Sequence, residues 1–352
     1  MGFLWALLAL SIMIFVHELG HYLAARFFGV YVERFSIGFG PVVARKRCCD
    51  TEWVISALPL GGYVKMKGQE DQDPLKRSSD PDSYNTKTPW QRIIILFAGP
   101  FANFLLAFIL YLIVALMGFN ELAPKVGKVL PNSAATKAGL QKGDEIVAID
   151  GKPIKTWEDL SKIISQNTKP LHFTIKRDGK ILTLTITPKI TKTKNIFGEE
   201  VKRAMIGIAP APEFIKVHYS FVDAIKVAFH KTVEAGKFII LGIEKMIEGV
   251  VSPKEIGGVI TIMDISAKAS QAGLVAFLSF CALISVNLGV LNLLPIPALD
   301  GGHIMFNLYE LITQRAPSEE VLVRLTYAGW IFLIGLMGLG LYNDINRLLG
   351  AG

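Results

Sequence analysis

The densest chemistry in this 352-residue chain lies in five consecutive residues, His17-Glu18-Leu19-Gly20-His21. On a helix, positions i and i+4 share one face, so the two imidazoles can bind a single Zn²⁺. Glu18 is not itself a ligand in such an arrangement. It stands where it can polarise metal-bound water as a general base.

The flanking residues set the environment of this motif. Phe3 to Val16 is apolar but too short to cross a bilayer, which takes about 20 residues. It becomes a span only if His17 to Phe28 continues the helix, which puts polar groups inside the membrane. Two histidines and a glutamate buried there are costly unless paired or functional. No Lys or Arg precedes Arg26, and no small-residue cleavage site follows the apolar run, so a span is expected rather than a cleaved leader.

The composition fits the same picture. Charged residues make up 19% of the chain and hydrophobic ones 51%, against roughly 25% charged in ordinary soluble domains. The deficit is uneven. Ile93–Phe119 and Gly273–Leu299 are long enough to span, and Thr326–Tyr342 is a shorter fourth candidate. Residues 120–203, in contrast, are rich in Lys, Asp and Glu. The net charge of +7 is accounted for by a positive-inside bias rather than by nucleic acid, since no basic run is interleaved with exposed aromatics. Arg26, Arg34, Arg45, Lys46, Arg47, Lys65, Lys67, Lys76, Arg77, Lys87 and Arg92 lie between the first two spans. The N-terminus is therefore expected outside and the following loop inside. Three cysteines, Cys48, Cys49 and Cys281, cannot form a disulfide framework and are expected to be unpaired thiols.

Zinc at His17 and His21 needs a third protein ligand, with a fourth position left open. Counting ~1.5 Å per residue from Phe3, the histidines lie roughly 21 to 27 Å into the membrane, toward the cytoplasmic side. The third span also runs inward, and Pro295 and Pro297 break it before Asp300. A chain folded back there brings Asp300 to the right depth, which makes it the best third ligand. His303 is expected to stand beside the site. His172, in the soluble insert, and His218 and His230, on the other side of the membrane, are expected to be surface or packing residues.

With these residues in place, the chain resembles the site-2 metalloproteases that cut within membranes, of the bacterial RseP type. The resemblance rests on His17–His21, Phe35-Ser36-Ile37-Gly38-Phe39-Gly40-Pro41, Leu58 to Met66, Ala98-Gly99-Pro100 with Asn103, and Asn292 to Gly301. It implies that His17, His21 and Asp300 bind Zn²⁺, that Glu18 activates water, and that Asn292 contacts substrate or helps stabilise the tetrahedral intermediate. The implied substrate is a single-span membrane protein, such as an anti-sigma factor already trimmed by another protease, with signal-peptide remnants as a further class. The implied setting is the bacterial cytoplasmic (inner) membrane.

The insert resembles a PDZ domain. Ser133 to Leu140 reads as a short helix with a glycine stop, Gly143 to Gly151 as a turn, strand and hairpin turn, Trp157 to Gln166 as a second helix, and two strands flank Asp178-Gly179. Such domains bind extended peptides by adding a strand at an open sheet edge. Only one such unit fits, where the best-known members of this family carry two in tandem. Ser220 to Val250 has apolar residues at helical spacing among lysines and glutamates, which suits a helix lying on the outer membrane interface in contact with lipid.

The expected fold class is thus a mainly α-helical membrane protein with four transmembrane helices, a cytoplasmic membrane-associated β-hairpin region and an extracytoplasmic PDZ-like α+β insert. Its expected segments are the first span with the zinc motif (1–28), a cytoplasmic loop with β-strands (29–92), the second span (93–119) and the PDZ-like domain (122–190). A post-PDZ segment with the interfacial helix (191–272), the third span with the third ligand (273–302), a cytoplasmic loop (303–325) and the fourth span (326–342) complete them. In the loop, Phe35, Ile37 and Phe39 alternate with small residues and Trp53 to Met66 reads as a further pair of strands, an arrangement that can hold a substrate extended by edge pairing. Two rival classes remain, a membrane-tethered PDZ scaffold and a zinc transporter. The scaffold leaves the His-Glu motif and Asp300 unexplained, and the transporter needs polar groups of which the second and fourth spans supply almost none.

Overall fold

The computed structural model describes residues 2–69 and 78–350. Lys76 and Arg77, counted above among the loop's cations, lie outside the described residues. In chain order the elements are α1 (Gly2–Phe27), β1 (Val32–Cys48), β2 (Thr51–Met66), α2 (Pro89–Met117), β3 (Phe119–Leu122), β4 (Val126–Val129), α3 (Ala134–Lys137), β5 (Glu145–Ile149) and β6 (Lys152–Pro153). There follow α4 (Trp157–Gln166), β7 (Leu171–Arg177), β8 (Lys180–Ile186), β9 (Lys189–Lys194), β10 (Glu200–Met205), β11 (Ile208–Pro210) and β12 (Phe214–Val217). The remaining helices are α5 (Phe221–Ile247), α6 (Val259–Gln271), α7 (Leu274–Asn292), α8 (Asp300–Thr313) and α9 (Glu319–Leu348). They form two compact units, one of Met1–Ile113, Ile225–Met246 and Ser252–Gly352, the other of Val114–Ala224 with Ile247–Val251.

In the first unit, α1, α2, α7 and α9 are long and apolar enough to cross a membrane. Helix α1 continues unbroken through His17–His21 and ends at Phe27, with Gly29 at a φ of +68° just beyond it. Expected span 273–302 is divided: α7 stops at Asn292, Leu293–Leu299 turns, and Asp300 opens α8. The two prolines at 295 and 297 account for that break, since neither can donate to a helical ladder. Residues 303–325, expected as a loop, carry most of α8. The fourth helix is longer than 326–342 because Ser318 caps it and Glu319 and Glu320 favour its first turn.

The β-region is more than a hairpin. Register pairs rise together from Arg34–Glu52 to Ile37–Ile55, so those stretches run parallel. Arg34–Lys65 to Ile37–Gly62 and Ala44–Ile55 to Cys48–Thr51 run antiparallel. The first part of β1 therefore lies between the two ends of β2, and the last part of β2 forms one edge. Ala25, Val30, Val32, Met66, Tyr84, Ile95 and Leu96 make one buried cluster that seats the sheet on α1 and α2. The α6 N-terminus is held by Asp344 of α9, which accepts from the backbone N–H groups of Gly258, Ile260 and Thr261 at 2.9–3.2 Å.

The second unit packs a four-stranded sheet, ordered β6-β5-β7-β8, around a core that includes Val126, Ile146, Ile149, Leu160, Phe173 and Ile175. A reciprocal capping box between Thr156 and Asp159 starts α4 at Trp157. Asp178 and Gly179, both at positive φ, make the tight turn between β7 and β8. This unit runs past the expected limit at residue 190: Ile206 is in its core, and β11 and β12 pair with β4 and β3. Strands β9 (KITKTK) and β10 (EVKRAM) are mostly exposed and rich in charged residues, and hide that continuation from a hydropathy reading.

Candidate metal centre

The two histidines stand one helical turn apart on α1, and α2 supplies the surface they lean on. Ile95, Gly99 and Asn103 follow at i, i+4 and i+8 along one face of α2. His21 Nδ1 lies 2.8 Å from the Ile95 carbonyl oxygen. A carbonyl only accepts, so Nδ1 carries the proton and Nε2 presents a lone pair. Gly99 is bare where the ring lies: a Cβ there would overlap His21 Nε2 and Cε1. Pro100, next along, removes one bond of the helical ladder and crowds the preceding turn, where the Ile95 carbonyl is turned to His21. Asn103, fully buried, places its Nδ2 3.2 Å from His17 Nδ1.

Asp300, the first residue of α8, completes the group. Its Oδ2 is 3.2 Å from His17 Nε2 and 3.4 Å from His21 Nε2, and the two nitrogens are 3.2 Å apart. A tetrahedral zinc site with bonds of about 2.0–2.1 Å has ligand–ligand edges of about 3.3 Å. The three observed edges fit that triangle. The chemistry agrees, because Asp300 Oδ2 is buried without a hydrogen-bond partner while the His21 lone pair is aimed into the same space. A carboxylate oxygen and an imidazole lone pair that converge with no hydrogen bond between them call for a cation. His17, His21 and Asp300 are the one such metal-binding group among the described residues.

Glu18 follows His17 directly on α1 and lies under the edge of the sheet. A Cβ at Gly62 would stand 3.2 Å from Glu18 Cγ. Asn292 closes α7, eight positions before Asp300, and is half-buried. His303 lies within α8, its ring edge-on to Phe306 and outside the metal group. His172 is in the second unit, paired with Thr185, and His218 is in the same unit. His230 pairs with Glu234 on α5. The contact that sequence reasoning missed is Asn103 with His17. It was visible only as a polar residue in an apolar span, one turn beyond Gly99.

The Peptidase family M50 model matches residues 5–336. A Campylobacter jejuni protein named as a candidate zinc metalloprotease is 47% identical over 348 residues, covering 99% of this chain and 94% of its own. A Helicobacter pylori protein so named is 39% identical, covering 99% of this chain and all of its own, and one from Clostridium acetobutylicum is 35% identical, covering 97% and 96%. A family match over nearly the whole length, with a His-His-Asp group of zinc-like dimensions inside it, shows that the chain belongs to Peptidase family M50, the zinc-dependent metalloproteases of the site-2 type.

Proposed function

We propose that this protein is an intramembrane zinc endopeptidase that hydrolyses a peptide bond in the transmembrane segment of a single-span membrane protein. A membrane regulator already trimmed by another protease, such as an anti-sigma factor, is the proposed substrate. The observation that carries this reading is the His17–His21–Asp300 triangle with Glu18 beside it, borne on a helix apolar enough to span a bilayer. His17, His21 and Asp300 would hold Zn²⁺, which supplies Lewis acidity, acidifying water and polarising a carbonyl.

The rest belongs to the chain's own groups. Glu18 takes a proton from the attacking water and returns it to the departing amine. Asn292, at the end of α7, contacts the substrate or donates to the oxygen that gains charge. A peptide bond inside a helix is shielded by its own hydrogen bonds, so the substrate must be drawn out before attack. The last part of β2 suits that task, since it is a sheet edge that passes over Glu18. The loop with the sheet is assigned to the cytoplasmic side of the inner membrane, and the N-terminus and PDZ-like insert to the outside, on the Lys and Arg distribution. Helix α5 exposes Phe221, Val222, Phe229, Phe238 and Ile240, which suits contact with lipid at the outer interface.

The test uses purified full-length protein and a membrane-embedded reporter. Glu18→Gln should abolish cleavage while one zinc per chain is kept. A scaffold or a transporter would be indifferent to that change, and cleavage at the wild-type rate would reject the assignment.

A further inference from the structure

Asn103 performs no step of the reaction and touches no part of the solvent, yet its side chain meets a metal ligand. It is fully buried on α2, its Nδ2 lies 3.2 Å from His17 Nδ1, and its Oδ1 is buried with no hydrogen-bond partner. An amide oxygen left so costs about 1–3 kcal/mol, and a leucine in an apolar span avoids that cost. The contact between α2 and α7 does not need the side chain either, because Ser285 Oγ donates to the backbone carbonyl of Asn103 at 2.8 Å.

We propose that Asn103 is the positioning residue of His17, fixing which ring nitrogen faces the metal. A neutral imidazole carries one proton, and the group hydrogen-bonded to the outer nitrogen decides where it sits. With Nδ2 donating to Nδ1, the proton would lie on Nε2, in the middle of the ligand triangle. With the amide turned over, Oδ1 accepts the proton of Nδ1 and the Nε2 lone pair joins those of His21 Nε2 and Asp300 Oδ2. The Ile95 carbonyl already does this for His21. Each histidine thus has its own outer acceptor on the same face of α2, one turn to either side of Gly99. Outer partners of this kind set the basicity and ring orientation of metal-bound histidines.

This inference rests on the reading of His17 as a zinc ligand, and the experiment separates the two. Zinc affinity is measured on the full-length protein in detergent by competition with a chromophoric chelator, and the Co²⁺-substituted protein is followed by its ligand-field spectrum. Asn103→Leu should weaken zinc binding roughly 10–100-fold and alter the Co²⁺ bands. Asn103→Asp, which keeps an acceptor at the same place, should bind zinc at least as well as wild type to within about threefold. His17→Ala serves as the control. If His17→Ala loses zinc while Asn103→Leu keeps wild-type affinity, the role of Asn103 is overturned and the metal centre stands. If His17→Ala itself keeps zinc, the metal centre falls. Should Asn103→Leu fail to fold, a loss of more than about tenfold in Asn103→Asp would overturn the proposal alone.

Discussion

Gly62 runs so close over Glu18 that a Cβ at position 62 would stand 3.2 Å from the glutamate's Cγ and 2.8 Å from the Ser36 carbonyl oxygen. A strand edge and the proposed general base are thereby joined in one place. A substrate paired with this edge in an extended form would arrive beside both Glu18 and the His-His-Asp group. The two halves of the proposed reaction, unwinding and hydrolysis, share a single contact.

Glu18→Gln leaves size and packing nearly unchanged and removes the ability to take a proton. Cleavage of a membrane-embedded reporter should fall by about 10²–10⁴-fold, the usual worth of a general base. Zinc content, read by elemental analysis of the same preparation, should stay at the wild-type value. Loss of zinc together with activity would make Glu18 a ligand instead.

Gly62→Ala should act on the substrate and not on the metal. The added methyl meets backbone of the neighbouring strand at less than 3.0 Å, so the β2 edge must shift. Reporter cleavage should drop, with zinc affinity and the Co²⁺ spectrum unchanged. Ile55, in contrast, pairs with both Ile37 and Ala44 and lies inside the sheet, so a proline there would disrupt the sheet itself and say little about edge pairing.

How much of this could be read without coordinates differs from residue to residue. His17 and His21 declare themselves by an i, i+4 spacing in a span, and Asp300 by two prolines that end an inward helix. Those are local signals of period and breakage. Asn103 has no such signal, since its partner is 86 positions away and helix–helix register is set by packing. Alternation revealed strands in residues 35–66, yet alternation does not say which strand lies between which, and the parallel contact of 34–37 with 52–55 is a pairing that it cannot show. The second unit's extension to Ala224 was obscured because β9 and β10 bury few side chains, so their sequence lacks an apolar face. Asp344 shows the same limit: its role at α6 depends on a helix start more than 80 residues away.

Within the second unit, Asp144 is the buried charge that pH should find. Arg177 grips it with Nε and one terminal nitrogen, each at 2.7 Å, and the Gln141 N–H adds a third bond at 2.8 Å. Burial works to raise this carboxyl's pKa, and the Arg177 and Gln141 bonds outweigh it, so the folded value lies below the ordinary one. A depressed carboxylate stabilises the fold above its unfolded pKa of about 3.9 and loses that contribution as pH falls through the folded value. Pulse proteolysis of the insert in the full chain should therefore show a loss of stability below about pH 4. Asp144→Asn should cost about 3 kcal/mol at neutral pH, at the low end for one partner of a buried pair because Arg177 keeps some solvent, and should flatten the acid limb.

The outer edge of β11 bears on what the insert can bind. Gly207 accepts from the Leu130 N–H and the Ala211 N–H donates to Lys125, which turns the backbone groups of 207, 209 and 211 toward β4. Alternation sends those of 208 outward, and beyond it the register shifts between Ala209 and Pro210, where the Pro210 carbonyl lies over Gly127. Positions 210 and 212 are both proline, exposed, and have no N–H to offer. An extended peptide laid along this edge finds one donor, at Ile208, where strand addition needs one at every second residue. Peptides with free hydrophobic C-termini should therefore show no saturable binding to the full-length protein by fluorescence anisotropy. Pro210→Ile combined with Pro212→Val restores the two donors and should create binding that C-terminal amidation weakens. Tight binding by the unaltered protein, lost on amidation, would show instead that the insert reads chain ends through this edge despite its prolines.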